Sequence, residues 1–141
     1  MSSIAFWIAS LFQSGTPQPR PDLAPEEVIR IVVTALQHHD SPSPNAGIFT
    51  VYQFASPSNR AITGPYGHFL RLVKSPDFAP MLRDQPAEFS ALDRRGDEAR
   101  QILTVHQDAG SVTQFQIVVS REREGPFRDC WMVRAVARLS P

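Results

Sequence analysis

Apolar positions change period along this chain, and the change divides it into two halves. From Pro25 to His39, Val28, Ile31, Val32, Ala35 and Leu36 fall at i, i+3, i+4, i+7 and i+8, one face of a helix. Ile29 and Val33 widen that stripe, so the helix is covered over much of its circumference. Pro25 and the pair Glu26-Glu27 suit the first turn, where a missing N–H costs nothing and the helix dipole favours negative charge. Asp40 to Asn45, with two prolines, stops it. Gly47–Ser56 fits a helix by spacing and a strand by its β-branched and aromatic content; the spacing favours the helix. Ser56-Pro57-Ser58-Asn59 reads as a turn, Gly64-Pro65 opens a further helix that ends near Ser75-Pro76, and Asp77–Leu82 reads as a short helical turn.

Beyond Pro86 the period falls to two. Glu88–Asp93, Ala99–Gln107, Val112–Arg121 and Asp129–Leu139 read as strands, separated by Arg94–Asp97, Asp108–Ser111 and the longer Glu122–Arg128. Connections this short require antiparallel neighbours. Strict alternation puts Phe115, Ile117 and Val119 on one face of the third strand. On the last it puts Trp131, Val133, Ala135, Ala137 and Leu139 together, with Met132, Arg134 and Arg138 opposite. The expected product is an α+β domain, N-terminal helices packed on a curved four-stranded antiparallel sheet. It would occupy residues 23–141, behind an apolar leader and a Pro-rich linker over residues 1–22.

Composition narrows the function more than it names one. The chain has 141 residues, 42% of them hydrophobic, enough for one domain with a core. Fourteen basic residues balance 14 acidic ones, so no basic footprint for nucleic acid is present. One cysteine excludes an internal disulfide and any multi-cysteine zinc site. The leader Ile4–Phe12 lacks the cationic start of a signal peptide and is too short to span a bilayer. It reads as a terminus or as a segment docking on its own or a partner's surface. A weaker reading anchors Phe6, Trp7 and Leu11 at a membrane interface.

The residue types that carry chemistry are scattered. His38 and His39 are adjacent on a helix and point about 100° apart, so they cannot share a metal. His68 reads as a surface or packing residue. His106 lies on a strand with Arg100, Ile102 and Thr104, and no carboxylate is expected to share that parity and orient it. Asp93 is the one carboxylate whose parity could place it with the apolar lining, and it also sits at a turn edge. Cys130 reads as a small sheet residue beside Asp129, which disfavours a thiolate. Ser56-Pro57-Ser58 lacks a nucleophile-elbow glycine pattern, and no glycine cluster suited to phosphate occurs. No metal or cofactor is expected.

The order of helices before a sheet closing on a Trp-x-Val strand resembles the nuclear-transport-factor-two-like (cystatin-like) superfamily. Within it the chain is similar to a family of bacterial and plastid-lineage proteins catalogued as a domain of unknown function. The residues behind this are Pro25–Val28, Ala35–Gln37, Phe54–Pro57, Asn59-Arg60, Gly64-Pro65, Phe69 and Asp129–Val133. The resemblance implies a cone whose helices close over an apolar cavity, and a soluble protein of cytoplasm or plastid stroma. On it we expect Tyr52, Phe69, Phe115, Ile117, Trp131 and Val133 to line the cavity. The expected function is a non-catalytic module holding a small apolar ligand. The outer sheet face, with Gln114, Gln116, Met132, Arg134 and Arg138, would form a homodimer or meet a protein partner. The alternative is a small enzyme of cyclase, isomerase or dehydratase type. It would use His106 or Asp93 as base, and Tyr52 or Tyr66 as donor to a developing oxyanion.

Overall fold

The structure, a computed structural model, describes residues 16–139. Among the described residues four helices come first: α1 (Pro25–Gln37), α2 (Ala46–Phe54), α3 (Pro57–Thr63) and α4 (Tyr66–Val73). A 3-10 turn, Ala79–Leu82, leads into five strands: β1 (Ala87–Phe89), β2 (Asp93–Arg95), β3 (Glu98–His106), β4 (Val112–Arg121) and β5 (Trp131–Arg138). All strand pairs are antiparallel. The sheet runs β1-β3-β4-β5, with β2 also on β3. The expected α+β architecture is the one present. The residues 1–15, with the leader Ile4–Phe12, lie outside the described residues.

The helices start where the chain supplies their first turns. Glu27 accepts a hydrogen bond from the Ala24 backbone N–H at 2.8 Å, which satisfies a donor just ahead of α1. The stretch Ser56–Asn59 is not a turn. The Ser56 hydroxyl accepts from the Asn59 N–H at 3.1 Å, and Pro57 takes the first helical position, so the segment opens α3. Gly47 has a different role. A Cβ there would collide with the Ala35 carbonyl oxygen and stand 2.7 Å from the His39 Cα, so only glycine lets α2 approach α1 this closely.

The sheet departs from the sequence reading in two places. The expected first strand is two strands: Ser90 keeps one ladder bond, its N–H donating to the Ile102 carbonyl at 2.9 Å, and regular pairing breaks there. Its hydroxyl accepts from the Ile102 N–H at 2.9 Å, and its carbonyl accepts from the Gln101 side chain at 2.7 Å. The sheet therefore has five strands, not four. The second departure is a β-bulge. Val118 pairs with Ala135 but Val119 pairs with Val133, which leaves Arg134 as the extra residue. Alternation along β5 reverses there. Trp131 and Val133 face the helices, then Val136 and Arg138 do, opposite Ile117 and Phe115. Ala135 and Ala137 turn to the outer face, contrary to strict alternation.

The core lies between α1 and the inner face of the sheet. Val28, Ile29, Val32, Ile48, Phe54, Phe115, Ile117 and Val119 are fully excluded from solvent, and Leu23 belongs to the same cluster. On β3 the inner set is Ala99, Gln101, Leu103 and Val105, all buried, alternating with half-buried neighbours. Among the described residues, no helix is long and apolar enough to cross a membrane.

Candidate functional site

A small cavity of about 80 Å³ opens where α1, α2, α3, α4 and the 3-10 turn meet β5. Val32 and Leu36 come from α1, Val51 from α2, Phe69, Leu72 and Val73 from α4, Phe78 and Met81 from the turn region, and Val133 and Val136 from β5. Each element reaches it for a local reason. The α1 stripe supplies Val32 and Leu36 at i, i+4. The bulge at Arg134 is what brings Val136 to this side. Two polar residues, Asn59 and Thr63, also border it. Both are engaged: the Asn59 amide donates to the Val133 carbonyl at 3.1 Å, and the Thr63 hydroxyl donates to the Asn59 carbonyl at 3.1 Å. Among the described residues, no ionisable side chain lines it. Drug-sized ligands occupy roughly 300–1,000 Å³, so this space admits at most a short hydrocarbon chain or one small ring.

Of the expected lining, Phe69 and Val133 border this space. Phe115, Ile117 and Trp131 are buried in the adjoining core and are not part of its wall. Tyr52 packs edge-on against Phe69 and Tyr66, with ring centroids 5.2 and 5.3 Å away, and so stands behind the wall. Partial burial of Tyr66 raises its hydroxyl above the ordinary tyrosine range. Sequence reasoning missed Val51, Val73 and Met81. Their helical spacing shows an apolar face but does not show where two helices leave a gap.

The candidate bases stand on the other side of the sheet. His106 alternates with buried Val105, and Asp93 pairs with Arg100, which alternates with buried Ala99 and Gln101. Both therefore project from the outer face. The sequence reading expects no carboxylate beside His106, yet β1 supplies one: Glu88 Oε1 lies 2.8 Å from His106 Nε2. That pair is open to solvent, with the glutamate side chain 74% exposed. Asp93 faces Arg95 at 3.5 Å, also exposed. Neither His106 nor Asp93 borders the cavity. Cys130 is buried, and burial first, then Asp129, Asp22 and Glu122, hold its thiol above the usual range. Among the described residues, no three His, Cys, Asp or Glu side chains gather as a metal site.

The outer face differs from its expected composition. Gln114 and Gln116 lie on it, and Gln114 donates to the Thr104 hydroxyl at 3.1 Å. Met132 is fully buried and offers no surface. Arg138 is not on this face. The bulge places it opposite Phe115 on the inner side, where it donates to the Asp77 carbonyl at 3.3 Å. Arg134 reaches across from β5 to Glu98 on β3 at 2.8 Å, and Arg100 meets the same carboxylate at 2.5 Å. The Arg100 hydrogen bond, ahead of the charges of Arg100 and Arg134, holds the Glu98 carboxyl below its ordinary range.

Folding therefore favours ionised Glu98. Its contribution is complete above the unfolded-state pKa and fades as pH falls through the lower folded-state value. In urea titrations the wild type should exceed Glu98→Gln in midpoint at neutral pH, and the gap should close in acid. A gap that persists unchanged at low pH would refute this role.

No family model, no curated protein and no solved structure matches the chain.

Proposed function

We propose that this protein is a non-catalytic binding module that holds a small, neutral, apolar group between its helices and β5. One observation carries the reading: the cavity wall is hydrocarbon, and the two polar side chains on its border already have partners. A ligand charge would be desolvated there with no ionisable side chain to meet it, at more than about 3 kcal/mol. Apolar surface gains roughly 25 cal/mol per Å² removed from water. The selection is for grease and against charge. This layered arrangement, helices over one sheet face, also supports the resemblance to cone-shaped cystatin-like domains. In the same proposal the outer face, through Gln114, Gln116 and Arg134, meets a second copy or a protein partner.

Benzene, a probe that apolar protein cavities of this kind accept, tests the cavity directly. With methyl-labelled methionine, the Met81 signal should shift saturably on adding benzene while Met132, which is not in the wall, stays fixed. Val136→Phe should fill the space and abolish the Met81 shift. A Met81 signal that does not respond, or that responds equally in Val136→Phe, would remove the basis of the proposal.

A further inference from the structure

A second concavity, larger than the first, runs along the seam of α1 and α2. It measures about 690 Å³ and is mostly apolar, a size that small organic ligands fill. Its floor is hydrocarbon: Ile31 and Ala35, one turn apart on α1, meet Ala46 and Gly47 of α2. Its edge is polar and runs in one line. Arg30, Thr34 and His38 border it at i, i+4 and i+8 along α1 and its C-cap, a row about 12 Å long.

The row offers donors without matching acceptors. Among the described residues, no Asp or Glu lines the groove. The Arg30 guanidinium lies 4.8 Å from the centre of the Phe89 ring, which steadies one face of the fork and leaves its N–H edge for another partner. No carboxylate of the described residues forms an ion pair with it. The buried Thr50 hydroxyl already donates to the Ala46 carbonyl at 3.2 Å, whereas Thr34 and the His38 ring have no such side-chain bond among the described residues.

These features select the occupant. A cationic group would be repelled by Arg30. A neutral apolar molecule would strip water from the guanidinium and return no acceptor to it. A dianion would bring a second charge into an apolar groove that holds one fixed cation. A single carboxylate matches the planar fork of one guanidinium, and a hydrocarbon chain attached to it matches the floor. We propose that the α1–α2 groove binds an elongated amphipathic carboxylate, its acid group on Arg30 and its chain along Ile31 and Ala35 toward His38. The site is independent of the cavity reading, because the two concavities share no wall residue.

Octanoate, with octanol as its uncharged counterpart, tests the proposal in the full chain. With labelled isoleucine and alanine methyl groups, the Ile31 and Ala46 signals should shift saturably as octanoate is added below its micellar range. Labelled Met81, which lines the other cavity, reports separately on that space. Octanol should bind the groove at least about tenfold more weakly, the size of one hydrogen bond to a charged group. Arg30→Gln should weaken octanoate by a similar factor and leave octanol unchanged. Arg30→Lys, which keeps the charge and loses the fork, should fall between. Ile31 and Ala46 signals that do not respond, equal affinity for octanol and octanoate, or full octanoate affinity in Arg30→Gln would each overturn the proposal. So would shifts of the same signals on concentrating the protein alone, which would seat a second copy in the groove.

Discussion

Gly47→Ala should lower stability by about 3 kcal/mol, at the upper end of what overpacking a core normally costs. The added methyl carbon would run into the Ala35 carbonyl oxygen and meet the His39 Cα at 2.7 Å. Both obstacles are backbone, so no side-chain rotation relieves them. The helices must separate, and the Gly47 N–H bond to the His39 carbonyl, 2.8 Å long, must lengthen with them. At roughly 3–5 °C per kcal/mol for a domain of this size, the melting temperature should fall by about 10 °C or more. Gly67 is the control. It lies in α4, where an added methyl carbon would have nothing within 4 Å. Gly67→Ala should therefore stabilise by up to about 1 kcal/mol through helix propensity alone. Calorimetry on the two variants separates close approach from backbone freedom. Equal effects at both positions would contradict the packing argument.

Phe115→Ala should cost about 3–5 kcal/mol, the loss of a large aromatic side chain together with the void it leaves. Phe115 has no exposed surface and stacks on Phe78, with ring centroids 6.1 Å apart. Whole-domain stabilities run about 5–15 kcal/mol, so the variant should unfold at a much lower urea concentration and be near its limit when warmed. Phe49→Ala is the comparison. That ring is 46% exposed and should change stability by less than about 1 kcal/mol. Similar urea midpoints for the two variants would show that the core does not centre where the buried residues place it.

Much of this fold is legible from periodicity. The α1 stripe, the third strand at Val112–Arg121 and the short antiparallel connections follow from spacing alone. What periodicity could not show has local causes. Ser56-Pro57 carries an N-cap and a first-turn proline as readily as a turn, and only the hydrogen bond to Asn59 decides between them. The division of the first strand depends on Ser90 bonding across to Ile102. The bulge at Arg134 leaves no mark on the alternation. Trp131, Val133, Ala135 and Ala137 form an unbroken run on paper, yet only the first two face the helices. One extra residue thus moved Val136 into the cavity wall and Arg138 away from the outer face. The candidate site shared that fate. Apolar content pointed to the correct layer, while the position of the gap depends on how four helices and a turn meet, which no single segment encodes. The Glu88 partner of His106 was likewise invisible along β3, because it arrives from another strand.

The outermost strand β5 is not a bare rim. Ala55 runs beside Val133 in a parallel bridge, the Ser56 N–H donates to the Val133 carbonyl at 2.8 Å, and the Asn59 amide donates to the same oxygen. A foreign strand trying to zip along this margin would find its ladder interrupted part-way, so templated sheet growth is hindered here. Self-propagating fibrils would have to begin at the far margin, along β1 and β2, whose three residues each give an incoming chain little to grip.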